Sequence, residues 1–206
     1  ILIPRETEYV GKYAFTCLNN ASGSVQSSDN VLEYSAYFVL SNYGSYPSRG
    51  DNFTISFEDG SAINSIEAAF LKIGGVKEID LSACANLETL YGSFSGTGDE
   101  GGTVLKLPPS LKYVKGFSFS FPSYAADVYE IPASIKEIGR EAFVNLAREV
   151  SFAGGSELTS LGQNAFCKGG DSMPSVDLSA CGKLENADIS GISAKMPAGA
   201  YGITNV

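Results

Sequence analysis

Asp80-Leu-Ser-Ala-Cys84 recurs without change as Asp177-Leu-Ser-Ala-Cys181, and this repeated pentapeptide decides the fold of the chain. The flanking residues agree with it. Val76 to Leu90 reads V-x-x-I-x-L-x-x-C-x-x-L-x-x-L, and Met173 to Ala187 reads M-x-x-V-x-L-x-x-C-x-x-L-x-x-A. The two copies lie about four units of about 24 residues apart, and a fixed period of that length indicates stacked structural repeats.

A second periodic signal comes from phenylalanines that recur at intervals of 23 to 25 residues, at Phe70, Phe94, Phe119, Phe143 and Phe166. Each unit begins with a strand of alternating pattern and continues with a second apolar pair, such as Ile135 and Ile138. It then ends in a turn or short helix that leads to Ala-Phe. The pattern is typical of leucine-rich repeats. We therefore predict an α/β solenoid, a right-handed superhelix that is mostly β with short helical turns and a central column of phenylalanines.

The repeats define one domain over residues 1–206. Pro4 to Phe15 aligns with Pro132 to Phe143, so the array is already present at the first residues. The units are most regular over 53–193. Residues 31–40 form a degenerate unit, and residues 41–52 form an insertion rich in turn-forming residues.

Composition excludes several function classes. The net charge is −9, which disfavours nucleic acid and anionic membrane surfaces as partners. The chain has no histidine, so Ser-His-Asp, Cys-His and His-zinc chemistries are absent. We predict no membrane span, no cofactor and no metal site. The four cysteines share repeat positions in pairs, Cys84 with Cys181 and Cys17 with Cys167, so we interpret them as small apolar core residues.

The exposed face of the predicted sheet is the first candidate binding surface, since solenoids commonly bind ligands on a concave face. Strand alternation places one outward residue per unit at the centre of this face, and Asp80, Lys106 and Glu130 would alternate in sign. The alternative interpretation is a solvent-exposed face whose opposite charges pair with one another and which binds no ligand. A carboxylate-based hydrolase is the weakest alternative, because Lys106 would lower the pKa of nearby carboxyl groups, whereas a general acid needs a raised pKa. We predict no catalytic residues, and the candidate binding residues are Ser56, Glu78, Asp80, Lys106, Glu130, Ser151 and Asp177.

Two loops and an aromatic stretch complete the candidates. Tyr43, Tyr46 and the tripeptide Arg49-Gly50-Asp51 lie in the insertion and form a second candidate site, because exposed tyrosines are good interface anchors. The Gly96–Gly102 loop lacks the spaced carboxylates of a calcium loop, so we interpret it as a flexible acidic turn. Phe117 and Phe121 share the strand parity of Phe119, so we predict that all three lie in the core.

The stretch Ile131-Pro-Ala-Ser-Ile-Lys-Glu-Ile-Gly-Arg-Glu-Ala-Phe143 resembles the BspA-like leucine-rich repeat of bacterial surface proteins, notably of Bacteroides-type bacteria. Cys17 and Cys167, shortly after Ala-Phe, also resemble that family. The resemblance implies a cell-surface or secreted bacterial protein whose signal or lipid anchor has been removed from this chain. It implies a non-enzymatic adhesion module that recognises a protein or glycan, possibly host-derived, through the solenoid surface. We expect a monomer, and the alternative function is a structural spacer or interaction domain of a larger surface protein.

Overall fold

The computed structural model describes residues 1–11, 14–15, 31–32, 53–99, 101–167 and 173–200. Most strands are two or three residues long, as expected when each side of a small coil contributes one strand. In chain order they are β1 (Leu2–Ile3), β2 (Tyr9–Val10), β3 (Val31–Leu32), β4 (Phe53–Phe57), β5 (Ser65–Glu67), β6 (Val76–Asp80), β7 (Thr89–Tyr91), β8 (Val104–Lys106), β9 (Tyr113–Val114), β10 (Phe119–Ser120), β11 (Ala126–Ile131), β12 (Glu137–Ile138), β13 (Phe143–Val144), β14 (Ala147–Phe152), β15 (Ser160–Leu161), β16 (Ser175–Asp177), β17 (Asn186–Ala187) and β18 (Ser193–Lys195).

The strands assemble into a parallel β-solenoid. The first face holds two four-stranded sheets, in the orders β1-β4-β6-β8 and β11-β14-β16-β18. The second face is one eight-stranded sheet in the order β17-β15-β12-β9-β7-β5-β2-β3. The third face is formed by the β10–β13 pair and by isolated bridges, Gly74 to Gly98 and Ser95 to Ser120. All the strand pairs are parallel, so successive coils stack in register and the solenoid expected from the repeats is present.

The predicted phenylalanine column forms the centre of the core. Six rings stack face to face, with centroid separations between 4.7 and 5.5 Å, in the order Phe15, Phe70, Phe94, Phe119, Phe143 and Phe166. The rings from Phe70 to Phe166 are at most 2% exposed. Burial of each ring removes a large apolar surface from water, and the stacking of neighbouring rings adds to that stabilisation.

The described residues contain no helix, so the predicted helical turns are wrong for this part of the chain. The reason lies at the corner two residues before each ring of the column from Phe70 onward. There the backbone dihedral φ is positive, between 45° and 60°, at Ala68, Gly92, Phe117, Glu141 and Asn164. A positive φ cannot continue a right-handed helix, so Gly139 to Phe143 turns sharply into β13 instead.

The same corner explains the exposure of Phe117. We predicted that Phe117, Phe119 and Phe121 share one core face. Phe119 and Phe121 are buried, but Phe117 is 53% exposed. Strand parity does not extend through a left-handed corner, so Phe117 points away from the core although it lies only two residues from Phe119.

The first coil stacks directly on the coil that begins at residue 53. β1 pairs with β4, β2 pairs with β5, and the ring of Phe15 stacks on that of Phe70 at 4.7 Å. β3 lies outside this stack, because it adds to the free side of β2. Of the predicted degenerate unit over 31–40, only Val31 and Leu32 of β3 are described.

Candidate functional site

The predicted binding residues of the first face lie on two separate sheets. On the first sheet Ser56 is opposite Asp80, which is opposite Lys106. On the second sheet Glu130 is opposite Ser151, which is opposite Asp177. Lys106 and Glu130 do not form a cross-strand pair, because β8 and β11 belong to different sheets. The predicted continuous ladder of side chains is therefore interrupted at its centre.

Lys106 forms ion pairs with two acidic residues on its side of the interruption. Its Nζ lies 2.6 Å from Glu78 Oε1 and 2.9 Å from Asp80 Oδ2. Asp80 Oδ1 also accepts hydrogen bonds from the backbone N–H and the hydroxyl of Ser82. Burial alone would raise the pKa of Asp80, but the hydrogen bonds from Ser82 and Lys106 outweigh it, so the pKa lies below its ordinary value. Asp80 is therefore held as an anion.

Asp177 has a similar environment on the other side. Lys195 Nζ lies 2.7 Å from Asp177 Oδ2, and the Ser179 N–H donates to Asp177 Oδ1 over 2.9 Å. These hydrogen bonds, with that of Lys195 the largest effect, lower the pKa of Asp177 to about 2. Lys195 was not among the residues predicted from the sequence. Aligning Met196-Pro197 with Leu107-Pro108 would have placed Lys195 at the position of Lys106.

The segments that lead into β8 and β11 are in contact just before the interruption begins. There the Thr103 N–H donates to the Ala125 carbonyl over 3.3 Å. Beyond this point they share no ladder. The hydroxyl of Tyr129, on β11, instead donates to the Leu105 carbonyl on β8 over 3.3 Å. Tyr129 takes the inward position that Ile79 and Val150 fill in other coils, so its long side chain reaches across the space between two strands.

The residues along the two unpaired edges match in position. Val104 on β8 and Val128 on β11 are 56% and 63% exposed, so each edge presents an apolar side chain to solvent. The next outward residues, Lys106 and Glu130, are also exposed. The two edges therefore present the same order of side chains to solvent, a valine followed by a charged residue. We call this space the β8–β11 gap.

A buried hydroxyl marks the far end of the gap. In the coil before it, Ser110 Oγ donates to the carbonyls of Cys84 and Leu87 over 3.1 and 2.9 Å. Ser134 holds the corresponding position one coil later, but its buried Oγ has no hydrogen-bond partner among the described residues. The carbonyls that it would bind belong to the coil on the other side of the gap. An unpaired buried hydroxyl costs roughly 1–3 kcal/mol, so the separation of the two coils weakens the stack.

A cavity of about 530 Å³ lies beside the start of the gap, between Gly101–Gly102 and the segment that runs from Pro122 into β11. On one side Arg148 lies over the ring of Tyr124, with 4.8 Å between the guanidinium carbon and the ring centroid. Arg148 Nε also lies 3.2 Å from Asp127 Oδ1. The cavity wall is polar and solvent-accessible, and it is formed by Gly101, Gly102, Pro122, Ser123, Tyr124, Ala125, Ala126, Asp127, Asn145 and Arg148.

Several other predicted features have a clear placement. Cys84 and Cys181 are fully buried, and burial raises the pKa of the Cys84 thiol to about 12, so it stays protonated. In the Gly96–Gly102 loop, Asp99 pairs with Lys77 and accepts the Gly101 N–H. The described part of the chain contains no group of three or more Cys, Asp or Glu side chains that could hold a metal ion. It also contains no helix that could cross a membrane.

The second candidate site lies outside the described residues. This applies to Tyr43, Tyr46, Arg49, Gly50 and Asp51, and also to Cys17.

Comparisons with known proteins return no match. No family model, no curated protein and no solved structure is similar to this chain. Functional inference therefore depends on the geometry of the solenoid itself.

Proposed function

We propose that this chain is a non-enzymatic binding module that recognises a protein partner through the first face of the solenoid. The interruption of that face carries the proposal. Every other neighbouring pair of strands on the first face satisfies its inner edges with a parallel ladder, whereas β8 and β11 leave theirs unpaired beside two exposed valines. Exposed strand edges are sites where polypeptides pair, and natural proteins usually cover them.

The state of the carboxyl groups supports binding over catalysis. A carboxylate hydrolase needs a general acid with a raised pKa near a second carboxylate. Asp80 and Asp177 have lowered pKa values, and each is held by a lysine. These groups are suited to the recognition of polar or charged partners and poorly suited to proton donation.

The structural spacer stays as a second candidate. It is favoured by the continuous second face and by the unbroken column of stacked rings, which together give a stiff rod. A spacer would need no partner at the first face. Under that function, the β8–β11 gap would be a local packing defect that evolution has tolerated.

We further propose that the coils are leucine-rich repeats of the BspA-like type and that the protein is displayed at a bacterial cell surface. The support is the 23–25-residue spacing of the phenylalanines and the burial of Leu81, Cys84 and Leu87, which occupy the repeat positions of the motif. Surface display agrees with an acidic chain that has no basic footprint for nucleic acid.

An array of immobilised surface and extracellular-matrix proteins, with glycans in separate wells, tests the binding function. We expect the purified protein to bind one or more proteins above background. The variant V128R, which places a bulky charge at the gap, should lower that signal at least fivefold. The matched control I189R changes a similarly sized, 39% exposed apolar residue outside the first-face strands and should leave it unchanged. Binding to glycans alone would contradict a protein partner, and a blank array would favour the spacer.

A further inference from the structure

We propose that the β8–β11 gap binds an extended peptide segment of the partner, which enters as an additional parallel strand between β8 and β11. This inference rests on the proposed function and specifies the ligand of the same face. Its support comes from the backbone edges, from the side chains along them and from the charge of Glu130.

The backbone edges are oriented toward the gap. The Lys106 carbonyl accepts the Leu81 N–H, so it points toward the coil on the β6 side. Carbonyls of successive strand residues point in opposite directions, and the Leu105 carbonyl accordingly points into the gap. There its donor is a tyrosine hydroxyl in place of a backbone N–H. A carbonyl oxygen has two lone pairs, so it can accept a peptide N–H in addition to this hydroxyl.

The side chain of Tyr129 keeps the two strands apart. In the neighbouring coils Ile79 and Val150 occupy its position, and the strands there form normal ladders. Tyr129 is half-buried, and its ring lies between the coils. Two strands that hold a third between them must be separated by roughly twice the usual 4.8 Å spacing. The tyrosine thus prevents the collapse that would close the gap and leaves room for a strand above its ring.

The flanking side chains define what the peptide must carry. A strand in register with both edges would place one outward residue between Val104 and Val128 and a second between Lys106 and Glu130. The residue between them would point inward above Tyr129. We expect an apolar β-branched residue at the first outward position, because cross-strand apolar pairs stabilise sheets. A small residue suits the inward position, where the tyrosine ring already fills the core.

Charge selects the second outward residue. Lys106 is already paired with Glu78 and Asp80. Glu130 is exposed and has no ion pair among the described residues, and the chain as a whole carries a net charge of −9. A lysine or arginine in the peptide would therefore pair with Glu130. The proposed recognition sequence is an apolar residue, a small residue and a basic residue in an extended segment.

The experiment uses a fluorescein-labelled, capped heptapeptide, Thr-Thr-Val-Ser-Lys-Thr-Thr, and measures its Kd by fluorescence anisotropy. N-methylation removes one backbone donor at a time from Val, Ser or Lys. A strand that pairs on both sides uses every one of these donors. We expect each methylation to weaken binding about five- to tenfold, the cost of one hydrogen bond. If methylation weakens binding only at alternate residues, the peptide pairs with a single edge, and the proposal that it enters between β8 and β11 is wrong.

Charge reversal gives a second, independent readout. E130K should shift the preference from the lysine peptide to a peptide with glutamate in place of lysine. The control E185K makes the same charge change at an exposed position just before β17, on the second face, and should keep the original preference. An unchanged preference in E130K would overturn the assigned register. Circular dichroism of both variants checks that they fold.

The two proposals fail differently. If V128R weakens binding to array partners but the heptapeptide neither binds the chain nor competes with them, the peptide inference is wrong and the binding function stands. Array binding that V128R leaves unchanged would contradict both proposals. If the array and the peptide both give no signal, the proposed function fails as well.

Discussion

The phenylalanine column offers the sharpest test of the fold, because Phe119 and Phe117 lie two residues apart and differ only in their environment. Phe119 is fully buried and stacks at 5.3 Å on both Phe94 and Phe143. Phe117 is 53% exposed at the corner of the same coil. The variants F119A and F117A remove the same atoms from the same coil, so each serves as the control for the other.

We expect F119A to lower the free energy of unfolding by about 3–5 kcal/mol, the range for truncating a buried phenylalanine. The value should lie in the upper half of that range, because rigid coils on both sides hold the cavity open and the ring loses two stacking partners. F117A should cost at most about 1 kcal/mol, since much of its side chain already contacts water. Domains of this kind are stable by only about 5–15 kcal/mol, so the larger loss is easily measured.

The assay is urea unfolding followed by far-ultraviolet circular dichroism, with the slope of each transition fitted separately. A solenoid can unfold in parts, so a split transition in F119A would place the weakened coil within the stack. If F119A and F117A lower the free energy of unfolding by amounts within 1 kcal/mol of each other, the assignment of Phe119 to the core and of Phe117 to the surface is wrong. The stacked column would then be refuted as well.

Two further predictions concern acid stability and the corner of the coil. The pKa of Asp177 is lowered to about 2, so its contribution to stability is complete above its ordinary unfolded pKa of about 3.9 and is lost as the pH falls toward 2. In the wild-type protein the urea midpoint of unfolding should therefore fall between pH 4 and pH 2, and D177N should reduce that fall. D59N changes a carboxylate without an ion pair in the described residues and should not reduce it. At the corner, A68G should stabilise the protein by about 0.5–1 kcal/mol, because the φ of Ala68 is +45°, where glycine carries no steric penalty. A62G, at a position without positive φ, should destabilise it by a similar amount in thermal unfolding, and stabilisation by both changes would contradict this explanation.

The periodic features of the fold could be predicted from the sequence because they depend on side chains that repeat. The phenylalanine spacing predicted the solenoid and its core column, and Leu81, Cys84, Leu178 and Cys181 are buried as expected. The helical turns were wrong because a short Gly-x-x-Ala-Phe segment carries no signal for a left-handed corner. Glutamate at position 141 and phenylalanine at position 117 adopt positive φ only because the stacked coils require it.

The candidate site was harder to predict because it is a departure from the repeat. Each residue of the outward ladder was identified, but the break between Lys106 and Glu130 was not. We attribute the break to Tyr129, which has the pattern of an ordinary apolar strand residue in the sequence. No sequence pattern indicates that its hydroxyl donates to the carbonyl of Leu105 on the other side of the break.

The direct stacking of the first coil on the coil at residue 53 has a consequence for the order of folding. Its hydrogen bonds join residues 53 to 58 positions apart, whereas those between the next coils join residues about 24 apart. Closing the longer loop costs about 0.7 kcal/mol more in chain entropy. Folding should therefore begin among the contiguous coils after residue 53, and the first coil should dock late. The described residues of the first coil, 1–11 and 14–15, would then be the first part of the solenoid to open and the first to exchange their amide hydrogens.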